Sequence, residues 1–116
     1  MSALQIIVDT LLQILPDKVY HFSAPKEADN PYIVWAEENP GAPMMANNKH
    51  AELVITGSIR YYTMTEFDTT VDDIQEALDE AGVANRLTQI SYNQDTDIIE
   101  YWWDWEVPCG SGKIYR

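Results

Sequence analysis

Basic residues are scarce in this chain, and cysteine and histidine are scarcer. Seven Lys and Arg stand against 19 Asp and Glu, a formal net charge of −12. Gripping nucleic acid through its phosphates needs clustered Lys and Arg, and no such cluster occurs. A single cysteine, Cys109, excludes an internal disulfide framework and a cysteine-rich zinc site. No apolar run approaches the ~20 residues of a membrane helix. Residues 1–15 are apolar but lack a basic start and contain Asp9, so they do not fit a secretory signal. Synthesis in the cytoplasm is the expectation. The five glycines form no phosphate cradle. Gly110-Ser111-Gly112-Lys113 shares the closing letters of a P-loop but lacks its first glycine and a following helix.

Apolar residues are plentiful, at 46% of 116 positions, which excludes whole-chain disorder and fits one domain. A chain of this length buries roughly two thirds of the surface it exposes when unfolded. Residues 51–82 organise it. Leu53, Ile55, Ile59 and Tyr61 recur with a period of two, the mark of one strand face. Gly57 falls in that row, where a bulge or a close backbone approach is expected. After Phe67 the period changes. Val71, Ile74, Leu78 and Ala81, with Ala77, make one helical stripe, and Asp72, Asp73, Glu76, Asp79 and Glu80 face away. Asp68, Thr69 and Thr70 are N-cap candidates, and Gly82 suits the C′ position.

The rest of the chain packs on this unit. Residues 2–15 predict a first helix, with Ser2 and Gln5 as a capping box, Leu4, Ile7, Val8, Leu11, Leu12 and Leu15 as its apolar face, and Pro16 as its stop. Strands follow at residues 18–23 and 32–37. The second is apolar on both faces, as in a strand covered on both sides. Residues 38–50, with Pro40, Gly41, Pro43, Met44, Met45, Asn47 and Asn48, read as a long loop of the kind that is functional or disordered. Residues 86–92 and 98–107 are further strands around a turn. In the last, Ile99, Tyr101, Trp103, Trp105 and Val107 share one face, and Glu100, Trp102, Asp104 and Glu106 the other. Residues 108–116 form a tail. The order α-β-β-β-α-β-β predicts a single α+β domain: a mainly antiparallel sheet of about five strands, built around residues 51–65 and 98–107, with two helices on one face.

Chemistry-bearing sets are weak. His21 sits in a strand and His50 at a loop end, both read as satisfied or exposed, and no nucleophile–base pair has a local signature. Asn93, Asp95 and Asp97 open like a calcium loop, but Ile98 stands where that loop requires glycine and Asp104 where it requires glutamate, so a solvated hairpin turn is expected. Glu100, Asp104 and Glu106 share a strand face, yet spacings of four and six residues place acceptors ~13 to 20 Å apart, too far for one metal. No cofactor is expected. Tyr62 and Trp102 point away from their apolar neighbours, so they either mark an interface or lie under a helix or loop.

An N-terminal apolar helix, Val19-Tyr20, a loop ending in Pro31-Tyr32-Ile33-Val34, a long loop, Leu53-Val54-Ile55, the helix over 71–81 and two final strands together resemble a known pattern. It is that of the small neck and tail proteins of long-tailed bacteriophages and prophages, the tail terminator and tail-completion group. The resemblance spans residues 4–107, and the tail after Pro108 departs from it. It implies a structural, non-enzymatic protein that forms rings, commonly hexamers. Such rings cap the tail tube and join it to the head connector, so the protein resides in the virion and DNA passes through. A lumen of carboxylates would repel phosphate and let the genome slide. The sheet edges and the long loop are the expected assembly surfaces, with Pro40, Met44, Met45, Asn47, Asn48, Tyr62 and Trp102 as candidate interface residues. The alternatives are a minor capsid or connector protein, and a small enzyme or ligand-binding domain with a pocket under the loop over 38–50.

Overall fold

The computed structural model describes residues 3–40, 53–109 and 114–115. Its elements are α1 (Gln5–Leu12), β1 (Val19–His21), β2 (Tyr32–Pro40), β3 (Leu53–Thr63), α2 (Thr70–Glu80), β4 (Ala84–Asn93) and β5 (Ile98–Cys109). The fold is α+β, with one five-stranded sheet in the order β1-β2-β3-β5-β4. All pairings are antiparallel except β1 with β2. The mixed sheet follows from chain length between strands. β4 and β5 are joined by a tight turn and must pair antiparallel, whereas residues 22–31 have to carry the chain back along only the three residues of β1 before β2 starts alongside it. β3 pairs along its whole length with β5, from Leu53 opposite Cys109 to Thr63 opposite Ile99, and is the central strand of the sheet.

Both helices pack on one face, as the two apolar periods require. Ile7 and Leu11 of α1 and Ile74 and Leu78 of α2 are fully buried against Ile33, Ile59, Tyr61 and Trp103, with Ile55 and Trp105 beside them. Gly57 faces this layer, and a Cβ there would collide with the Ala36 carbonyl oxygen and the Trp105 ring. The expected close approach is therefore real. The register also slips in β2 between Glu37 and Asn39, opposite Gly57 and Thr56, so the extra residue of the bulge belongs to the partner strand.

Several local expectations are corrected. α1 is shorter than residues 2–15. Its N-cap is Leu4, without a side-chain cap, and Gln5 bonds Asp9 one turn on, while Ser2 lies outside the described residues. Leu12 is exposed, so the apolar stripe is narrower than its sequence suggests. The first strand keeps three residues of the six expected, and β2 runs on to Pro40, so residues 38–40 are strand where a loop was expected. The backbone cap of α2 is Thr69, but Asp68 supplies the side-chain acceptor, taking the Thr70 backbone N–H at 2.9 Å. Gly82, at φ +75°, closes α2 as foreseen. Its N–H bonds Asp79 O at 3.1 Å and that of Val83 bonds Leu78 O at 3.0 Å, the two bonds of a Schellman motif.

Candidate functional site

The sheet face opposite the helices carries a row of aromatic and charged side chains. Cross-strand pairing builds it: Tyr32 stands opposite Tyr62, Tyr62 opposite Glu100, and Arg60 opposite Trp102. Tyr20 meets Tyr32 edge to face at 6.1 Å, and Tyr32 stacks on Tyr62 at 4.8 Å. The Arg60 guanidinium lies 5.2 Å from the centre of the Trp102 ring, within range of a cation–π attraction. Polar tips tie the row together. The Tyr62 hydroxyl donates to Glu100 Oε2 at 2.8 Å and accepts a long 3.4 Å contact from Arg60. Trp102 Nε1 donates to Asp104 Oδ1 at 3.0 Å, and Ser91 Oγ donates to Glu100 Oε1 at 3.3 Å.

The electrostatics keep the phenols protonated. Burial pushes Tyr62 up to about 12, and the hydrogen bond to the Glu100 carboxylate acts in the same direction against the opposing charge of Arg60. Burial raises Tyr32 as well, helped by the Glu100 charge. Both remain hydrogen-bond donors at neutral pH.

At the edge of the sheet, on the helix side, the His21 ring is sandwiched between Phe22 at 3.9 Å and Trp35 at 4.0 Å. Its Nε2 meets Glu37 Oε1 at 2.6 Å, and Tyr115 donates to the other oxygen at 2.8 Å. Burial would raise the Glu37 carboxyl, but the hydrogen bond from His21, with its own backbone and Tyr115 adding to it, holds it below the usual value. His21 is thus satisfied and half-exposed, as read from sequence, and a residue of the C-terminal tail is anchored on its partner.

The expected site residues divide into three groups. Tyr62 and Trp102 come together on the open face, each half-buried and each in contact with Arg60. Pro40 ends β2, opposite Ile55. Met44, Met45, Asn47, Asn48 and His50 lie outside the described residues. Glu100 and Asp104 are engaged by Tyr62, Ser91 and Trp102, and Cys109 is buried at the end of β5. Among the described residues no group of three or more His, Cys, Asp or Glu is placed to hold a metal. The 93–97 segment is a hairpin turn, with Asp97 at φ 60° and bonded to Asn93 O at 2.8 Å. A cleft of about 540 Å³ near Glu38 and Asn39 is lined also by Thr56, Arg86, Asp104 and Glu106, and the Thr56 hydroxyl there donates to the Asn39 carbonyl oxygen at 2.9 Å.

Sequence reasoning missed Tyr20, Tyr32 and Arg60 as members of the row. Their neighbours are fixed by strand register, which residue spacing within one strand does not contain. The available signal was Arg60 itself, one of seven basic residues, set among the apolar residues of β3.

No protein-family model matches the sequence, and no curated protein matches it. Among solved structures, a chain in the virion of a native gene transfer agent particle has a similar fold, with a TM-score of 0.56 at 15% identity. The match covers 92% of this chain and 90% of that one. Among the described residues no helix is long and apolar enough to cross a membrane.

Proposed function

We propose that this chain is a structural protein of a phage-like particle, a tail terminator or tail-completion protein that closes into a ring at the head–tail junction. One observation carries the reading: the fold matches a virion chain of a gene transfer agent over nine tenths of both molecules. A match of that extent pairs whole domains, not a shared motif. The order of elements that resembles the tail-completion group supports the finer assignment, and an aromatic, charged sheet face away from the helices offers a surface for subunit contacts.

On this reading the protein acts by geometry rather than chemistry. Copies assemble through the open face around Tyr62 and Trp102 and through the segment from Pro40 to Asn48, and the ring sits between tail tube and head connector. The excess of carboxylates keeps the lumen repulsive to DNA phosphates. No cofactor or catalytic residue takes part.

The test is removal of the gene from a particle-producing strain, with electron microscopy of the products. Full heads and separate tails of irregular length are expected, restored to joined particles when the chain is supplied. Normal joined particles in its absence would overturn the proposal, and failure to form heads would place the chain in the capsid or connector instead. Deleting residues 41–48 should leave the chain folded and abolish joining.

A further inference from the structure

A small pocket beside the aromatic row has two cations in its wall, and the Glu100 carboxylate stands behind that wall as the acceptor for Tyr62. The pocket encloses about 300 Å³ and is lined by Arg60, Lys26, Tyr32, Tyr62 and the loop from Phe22 to Pro25, with no carboxylate in its wall. The chain has 19 acidic residues and seven basic ones, so two cations on one pocket with no acid in its wall are unexpected from composition. Arg60 is also underused. Its terminal nitrogens make contacts of 3.4 Å to Tyr62 Oη and 3.3 Å to Phe22 O, both long and both to neutral oxygens. Its Nε is buried with no partner, and it forms no ion pair among the described residues. A guanidinium has five N–H donors in a fork that matches a carboxylate. The Tyr32 hydroxyl makes no hydrogen bond among the described residues and remains a donor, since burial raises its pKa.

We infer that the Arg60–Lys26 pocket receives carboxylate side chains from the outer face of α2 on a neighbouring copy of this chain. The inference rests on self-assembly as read above and names the contact that makes it. Charge complementarity selects the occupant. Asp72, Asp73, Glu76, Asp79 and Glu80 are all exposed on α2, so one copy offers the donor fork and the next offers its ligand. The pocket lies on the open sheet face, and α2 lies on the other. The contact is therefore heterologous, and head-to-tail contacts of this kind close into rings when the rotation permits. Within one copy the sheet separates the two surfaces, so they cannot satisfy each other. Arg60 is held ready by the Trp102 ring beneath it, which limits the ordering cost of binding.

The test is sedimentation equilibrium of the full chain from micromolar to near-millimolar concentration, at low and high salt. One variant carries Lys26→Gln with Arg60→Gln. A second carries Asp72→Asn, Asp73→Asn, Glu76→Gln and Glu80→Gln. Each alone should weaken assembly roughly tenfold or more, as loss of one side of a charged interface contact does. Mixed, the two should form one-to-one pairs and stop there, because one copy keeps the ligand and the other keeps the pocket. Lys26→Gln alone is an exposed change that leaves the fold intact, and it should give a smaller weakening in the same direction. Variants that assemble like the wild type would overturn the pocket and leave the ring standing. Weakened variants that fail to pair on mixing would overturn α2 as the ligand. A wild-type chain that stays monomeric throughout would remove both this contact and the self-assembly it rests on.

Discussion

Gly57 and Trp105 occupy one space: the indole fills the room that any side chain at position 57 would need. A Cβ on Gly57 would stand 2.7 Å from Trp105 Cε2 and closer still to the Ala36 carbonyl oxygen. Backbone on one side and a core tryptophan on the other leave nothing that can give way. Gly57→Ala should cost about 3 kcal/mol or more, at the upper end for overpacking a core. Urea unfolding of the two proteins measures it, and a loss below ~1 kcal/mol would mean that Trp105 can move.

Gly82 provides the contrast. Nothing lies within 4 Å of its missing Cβ, but its φ is +75°. The cost of Gly82→Ala is therefore conformational, about 1 kcal/mol, and Gly82→Asn should recover part of it because asparagine tolerates that region. Thermal melts of the three proteins, in the order Gly, Asn, Ala, check the ranking. Equal melting temperatures would remove the Schellman closure as a source of stability.

Asp68 joins β3 to α2. Its Oδ2 accepts from Tyr61 Oη at 2.7 Å and Thr63 Oγ1 at 2.8 Å, and its Oδ1 takes the Thr70 backbone N–H. Asp68→Ala removes a cap and strands two inward hydroxyls, an expected loss of about 2–3 kcal/mol. The same network sets a pH dependence. Burial alone would raise the Asp68 carboxyl, but the hydrogen bonds from Tyr61, the Thr70 backbone and Thr63 outweigh it and hold the group below the usual carboxylate value. A folded-state pKa below the unfolded one contributes stability that is complete above the unfolded value and is lost as pH falls through the folded value. Wild-type stability should fall below about pH 4 more steeply than that of Asp68→Ala. Glu37 is lowered in the same sense, so a residual slope remains in the variant. Parallel slopes would show that Asp68 gains nothing from folding.

The sequence made β5 and α2 legible because each carries one clean period and a clear stop. The alternation from Ile99 to Val107 assigned every side chain of that stretch to its face, and Gly82 marked the helix end. Caps were less legible. Asp68, Thr69 and Thr70 are equivalent as letters, and the choice of Asp68 depends on Tyr61 and Thr63 pointing at it from β3. The placing of β3 and β5 inside the sheet followed from their length and pattern, but the parallel pairing of β1 depends on contacts between distant segments, which no local period encodes. The candidate site was half legible for the same reason. Tyr62 and Trp102 stood out as large side chains on a polar face, but Arg60 between them became meaningful only through its register with Trp102.

Trp103 is fully buried under α2, and its Nε1 donates to Gln75 Oε1 at 3.0 Å. Trp103→Ala should cost about 3–5 kcal/mol, enough to unfold a marginal domain. Trp103→Phe should lose much less, because it keeps most of the ring volume. A melting temperature that barely moves in the alanine variant would contradict the facing of β5.

Trp102 is the next residue along the same strand, and it should behave in the opposite way. It points to the open face, is half-buried, and holds Arg60 by ring contact rather than by core packing. Trp102→Ala should therefore cost only about 1 kcal/mol of stability, the scale of a cation–π contact with modest burial. Its effect on assembly should be larger. Without the indole the Arg60 side chain regains rotamer freedom, which must be lost again on binding, and an aromatic anchor disappears from the proposed contact surface. Tyr62→Phe isolates the polar part: the stack on Tyr32 survives while the links to Glu100 and Arg60 are cut. Paired measurements of unfolding and of solution mass separate the two roles. The expected pattern is a folded Trp102→Ala protein that fails to assemble, a Tyr62→Phe protein in between, and a Trp103→Ala protein that fails to fold. A Trp102→Ala protein that assembles normally would make the aromatic row a stabilising feature of the sheet and move the interface elsewhere.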